Sequence, residues 1–192
     1  MKDKIRKLFC EAPVIDNTHL AFSNKSGKSV GGRSNEEDIQ IKYEQCKDSW
    51  QHVKDDYLPD DSVIEWYRNS EGDARGFLIS SMEEVMGFMG GSLKNVSNKL
   101  PSYFKVHMVL VFDEYQNKGY GFALYKSAID LFGGIVSDHT LTKSSLRMWE
   151  KLATKYPIYK YSDKVIKPVK NIKSELGEYE EQFIATKKPI KI

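Results

Sequence analysis

Residues 106–122 read Val106-His107-Met108-Val109-Leu110-Val111-Phe112-Asp113-Glu114-Tyr115-Gln116-Asn117-Lys118-Gly119-Tyr120-Gly121-Phe122. The apolar run up to Phe112 lacks the alternation of a half-exposed strand, so Tyr103 to Phe112 predicts a central strand covered on both faces. Six polar residues, Asp113 to Lys118, then form a turn. Gly119 to Leu131 reads as a helix, with Ala123, Leu124, Ala128 and Ile129 on its apolar face and Gly133-Gly134 as its stop.

A strand, a turn and a glycine-rich helix start make a seat for an anion. The first N–H groups of a helix have no partner within it and carry a partial positive charge. A phosphate placed there accepts several of them at once. Glycines at 119 and 121 let oxygens approach the backbone, and Lys118 adds a positive charge. Each charge-assisted hydrogen bond contributes on the order of 1.5–3 kcal/mol, so a few of them hold a diphosphate against its desolvation.

Outward from this unit, Ile39, Tyr43, Cys46, Trp50, Val53 and Tyr57 recur at intervals of four and three. That spacing predicts one helix, capped at Ser34 or Asn35 and ended by Pro59, whose apolar stripe lies in the core or at an interface. Strands are expected over 63–68, 76–81, 85–93, 135–137, 158–161 and 183–186, with a turn at Asn69 to Asp73. A further helix, capped by Thr142 or Ser144, turns Leu146, Trp149, Leu152, Ala153 and Tyr156 inward. Before it, residues 1–10 predict a short helix, 18–23 an extended segment and 24–34 a polar loop. The order predicts an α+β fold, a mixed, mostly antiparallel central sheet flanked by helices.

The spacing Gln116-x-x-Gly119-x-Gly121 resembles the Q/R-x-x-G-x-G/A motif of the GNAT superfamily of N-acyltransferases. A second segment, Ser145 to Leu152, resembles that family's later helix, with its A-x-x-x-Y-E-K-L pattern, and some of this tract is similar to GNAT-like proteins encoded by phages. The resemblance covers about residues 63–162 and implies a GNAT-like acyl-CoA-binding domain over 61–192, with 1–60 as an N-terminal helical and extended region packed on it. It implies acetyl-CoA as co-substrate. The pyrophosphate would lie on Gln116, Asn117, Lys118, Gly119, Tyr120, Gly121 and Phe122. The pantetheine amides would pair with the strand edge at Leu110, Val111 and Phe112, with Ser145 and Trp149 nearby.

The sequence departs from that family at Trp149, where a Tyr often acts as general acid to the departing thiolate; an indole N–H cannot do so near neutral pH. The acceptor amine needs a base. His107 is the first candidate, because imidazole is the side chain best suited to proton transfer near neutral pH and it lies on the central strand; Asp113, Glu83 and Glu84 are alternatives. The implied function is acyl transfer to a primary amine of a small molecule or a protein. The alternative, favoured by Trp149 and the atypical first 60 residues, is a binding or structural subunit of this fold with weak or no catalysis. Asp138 ends a strand where it either meets substrate or begins a turn.

Two other motifs are rejected. Gly119-x-Gly121 with Asp138 nineteen residues on mimics a dinucleotide fingerprint, but its third glycine position is Leu124 and six polar residues part strand from glycine. Ser26-Gly27-Lys28-Ser29 ends like a phosphate-binding P-loop, but Phe22 stands where its first glycine belongs.

Composition narrows the setting. The 192 residues are 40% hydrophobic, enough for a folded core, and the net charge of +2 sets up no strong field for nucleic acid or membrane. Cys10 and Cys46 fall in no zinc-ligand spacing, so no metal is expected, and two isolated thiols fit a reducing cytoplasm. No run approaches the roughly 20 apolar residues of a membrane span, and the N-terminus has no apolar signal core. The helix from Glu36 onward is equally compatible with one chain, a homo-oligomer or a larger assembly.

Overall fold

The computed structural model describes residues 14–15, 35–98, 100–138, 141–162, 165–172 and 182–190. The features expected for 1–10, 18–23 and 24–34, and Cys10, lie outside them. Helix α1 (Asn35–Ser49) is followed by β2 (Gln51–Tyr57), β3 (Val63–Arg68), β4 (Asp73–Ile79), β5 (Val85–Lys94) and β6 (Tyr103–Val111). A 3-10 turn, Asp113–Tyr115, leads to α2 (Tyr120–Phe132). Then come β7 (Gly134–Val136), β8 (Leu141–Thr142), α3 (Lys143–Ala153), β9 (Ile158–Ser162), β10 (Val165–Pro168) and β11 (Gln182–Thr186). Nine strands form one sheet in the order β10-β9-β11-β7-β6-β5-β4-β3-β2, antiparallel except for β6 and β7. The short β1 (Val14–Ile15) pairs in parallel with β8. This is the mixed, mostly antiparallel α+β sheet that the sequence predicts.

One expected element is corrected. The helix stops at Ser49, and residues 51–57 are an edge strand paired with β3. Ile39, Tyr43 and Cys46 are buried against β4 and β5, as their spacing requires. Val53 and Tyr57 continue the same spacing on a strand and are exposed, Tyr57 at 78%. The interval of three and four thus continued by accident beyond the true helix end. A bulge between His52 and Lys54 lets the edge strand keep register with β3. The short strands β8 and β10, without apolar alternation of their own, were not expected.

The sheet has two covered faces. On one, α2 and α3 bury Leu124, Ala128, Ile129, Trp149 and Leu152 against β3 to β7. On the other, α1 covers Tyr67, Phe77 and Phe88. Trp66 is the largest side chain with no exposure. Its ring meets Phe104 and Phe132 edge-on at 5.6 and 5.4 Å. Its indole N–H donates to Ser127 Oγ on α2 at 2.7 Å, and the Ser127 hydroxyl donates onward to Asp56 of β2. One hydrogen-bonded column therefore fixes α2 across the sheet.

The central strand β6 is apolar on both faces because it changes phase. Met108 pairs with Gly90 and Val106 with Gly91, which leaves His107 unpaired in a bulge. Before it, Phe104 and Val106 face α2; after it, Val109 and Val111 do. Met108, Leu110 and Phe112 then face α1. Gly91 makes the close approach possible, since a Cβ there would lie 2.0 Å from the Lys105 carbonyl oxygen.

Candidate active site

Strands β6 and β7 run side by side only at Phe104–Ile135 and Lys105–Val136. Beyond that, β7 stays with β11, and the Ser137 N–H bonds to the Phe183 carbonyl. From Val106 to Val111, no strand among the described residues pairs with this edge of β6. A wedge therefore opens at the carboxyl ends of two parallel strands, a usual position for a ligand. Met108 to Val111 are only half-buried there.

The loop after β6 closes the wide end of the wedge. Gln116 donates its side-chain amide to the Val111 carbonyl (3.1 Å) and to Asp113 Oδ1 (2.7 Å), which folds the loop back on the strand end. Asn117 and Gly119 both have positive φ, 61° and 91°. Gly119 is the N-cap of α2 and offers no side-chain cap; only glycine takes that conformation without strain. The first bond into the helix runs from the Ala123 N–H to the Gly119 carbonyl, at 3.1 Å. Among the described residues, nothing accepts the N–H groups from Asn117 to Phe122. Left-handed residues just before a helix start make an anion-binding concavity of this kind.

Neighbouring elements hold the loop in place. The Tyr120 hydroxyl donates to Asp60 in the β2–β3 turn, and the Ser62 hydroxyl donates to the same carboxylate at 2.6 Å. These two hydroxyls, Ser62 first, keep the Asp60 carboxyl below the usual carboxylate range. On the far side, Met148 of α3 packs on Gly121, where a Cβ would come within 3.2 Å of Met148 Cε. Lys118 Nζ lies 5.2 Å from the Tyr115 ring centroid.

The profile of the "Acetyltransferase (GNAT) family" matches residues 38–153, more than half of the chain. The chain belongs to the GNAT family. Acyl transfer is that family's general chemistry. Among solved structures, a GNAT-family acetyltransferase from Staphylococcus aureus Mu50 is 13% identical to this chain, with a TM-score of 0.38 over 62% of it and 70% of the other. No curated protein matches. The match begins at residue 38, upstream of the point where the motif resemblance starts, and so takes in α1 and β2.

On this GNAT scaffold, Leu110, Val111 and Phe112 lie at the open end of β6, and residues 116–122 form the loop and first turn described above. Ser145 stands at the start of α3, its N–H donating to Thr142 Oγ1 and its hydroxyl accepting from Thr142. Trp149 is 1% exposed and packs between Tyr125 and Phe183. Its ring is a core element, consistent with the inward face predicted for this helix. Burial pushes the Tyr125 hydroxyl pKa upward, against a smaller opposite effect from Ser145.

The candidate bases separate into two places. Asp113, Glu83 and Glu84 lie at the wide end of the wedge, and Asp113 is engaged with Gln116. His107 lies near the narrow end, exposed, with Nε2 3.3 Å from Ser92 Oγ. Beside it Lys105 Nζ is 3.3 Å from Asp138 Oδ1, and Lys94 Nζ donates to Gln182 Oε1 at 2.6 Å. Burial pulls the Lys94 pKa down, Lys105 pulls it further, and Asp138 opposes both. This polar cluster is drawn from β5, β6, the segment just after β7 and β11, so no sequence motif announces it. No helix among the described residues is long and apolar enough to cross a membrane.

Proposed function

We propose that the protein is an acyl-CoA-dependent N-acyltransferase that takes acetyl-CoA as co-substrate and a primary amine as acceptor, acting in the cytoplasm. The observation that carries this reading is the run of N–H groups from Asn117 to Phe122 that have no acceptor among the described residues, beside an edge of β6 that none of the described strands pairs with. The diphosphate sits on the former, and the amides of the pantetheine arm continue the sheet along Leu110 to Phe112. The thioester then reaches the narrow end of the wedge, beside the bulge.

There the neutral amine attacks the thioester carbonyl carbon, the C–S bond breaks, and an amide and free coenzyme A result. His107 takes the amine's proton. Solvent returns a proton to the thiolate, because buried Trp149 cannot. The acceptor, a small molecule or a protein amine, approaches over Ser92, Lys105 and Asp138.

Release of free thiol from acetyl-CoA across a panel of primary amines tests this. Turnover is expected, and His107→Ala should lower kcat by about a hundredfold with little change in KM for acetyl-CoA. Acetyl-CoA binding without turnover on any amine would favour the second reading, a binding subunit of this fold, which the buried Trp149 supports.

A further inference from the structure

Helix α3 turns one side toward the first turn of α2. Met148, Lys151 and Lys155, spaced three and four apart, share that side. Met148 lies over Gly121. The ammonium groups of Lys151 and Lys155 lie 4.6 and 5.3 Å from the centroid of one ring, that of Phe122. Phe122 is the third residue of α2 and one of those whose N–H lacks an acceptor. Two cations thus converge beside the anion seat.

Their setting differs from that of five other lysines in the fold. Lys47, Lys54, Lys105, Lys126 and Lys187 each have a carboxylate within 4.0 Å. Among the described residues no carboxylate pairs with Lys151 or Lys155, and the π face of Phe122 is what gathers them. That attraction is weak at an exposed site and is set against the mutual repulsion of the two ammoniums. An anion between the two ammoniums would turn the repulsion into attraction.

Resting on the function proposed above, we propose that Lys151 and Lys155 seat the 3′-phosphate of the coenzyme's ribose. The diphosphate occupies the loop amides, and the 3′-phosphate is the next anionic group along the ligand. It carries close to two negative charges, and the two lysines meet it without displacing an ion pair among the described residues. The protein therefore selects coenzyme A over its 3′-dephospho form.

The test is calorimetric titration of coenzyme A and 3′-dephospho-coenzyme A into the wild-type chain and the double variant K151Q/K155Q at low ionic strength. The wild type is expected to bind coenzyme A about tenfold more tightly than the dephospho form. In the double variant that preference should vanish while affinity for the dephospho form is unchanged. Both lysines are exposed, so a thermal melt should show the variant folded. Equal wild-type affinities, or a preference that survives in the double variant, would overturn the inference and leave the proposed function standing. If neither nucleotide binds the wild type, the function and the inference both fail.

Discussion

Gly121→Glu is expected to weaken acetyl-CoA binding on the order of a hundredfold or more while leaving the protein folded. Gly121 is the second residue of α2, and a Cβ there meets only the far end of the Met148 side chain, at 3.2 Å. A thioether end can move by a few tenths of an ångström. The new carboxylate stands in the first helical turn, where a negative charge is stabilising by roughly 0.3–1 kcal/mol. It therefore takes the place of the ligand's own charge on the free amides and repels the diphosphate. Titration calorimetry with a thermal melt on the same sample separates the two effects. An unchanged melting temperature with binding lost is the expected pair; affinity within threefold of wild type would mean that the diphosphate sits elsewhere.

Trp66→Ala should cost about 3–5 kcal/mol of stability, as removal of a fully buried Trp does. The ring is completely buried between β3, β6 and α2, and both Phe104 and Phe132 lean on it. Its N–H is the donor that orients Ser127, which in turn donates to Asp56. The substitution leaves a cavity and cuts the column that seats α2 on the sheet, so the helix that carries the loop amides loses its support. Urea unfolding measures the loss, and a change below about 1 kcal/mol would contradict this place for Trp66 in the core. Trp66→Phe keeps most of the ring but not the N–H, and its smaller cost would separate packing from the hydrogen bond.

The sequence carried much of this arrangement in two kinds of signal. Val106 to Phe112 was readable as a central strand because burial on both faces demands an unbroken apolar run, and the structure adds the bulge at His107 that lets both residue parities reach both faces. The turn and helix from Gln116 to Phe132 were readable because positive φ at Gly119 leaves few residue choices and the apolar face of Ala123, Leu124, Ala128 and Ile129 keeps helical spacing.

What stayed hidden depends on partners far away in the chain. Val53 and Tyr57 keep helical spacing yet belong to an edge strand, and the deciding fact is the pairing with β3. Asp60 meets Tyr120 across sixty residues, and Lys94 meets Gln182 across eighty-eight. Lys151 sits inside a recognised motif, but its convergence with Lys155 on Phe122 follows only once α3 is docked on α2.

Backbone amide shifts during a titration with acetyl-CoA test the central claim most directly. Saturable shifts concentrated at 117–122 and along 108–112, with α1 unmoved, are predicted. Shifts centred on other elements, or none in the Asn117–Phe122 amides at saturation, would contradict it.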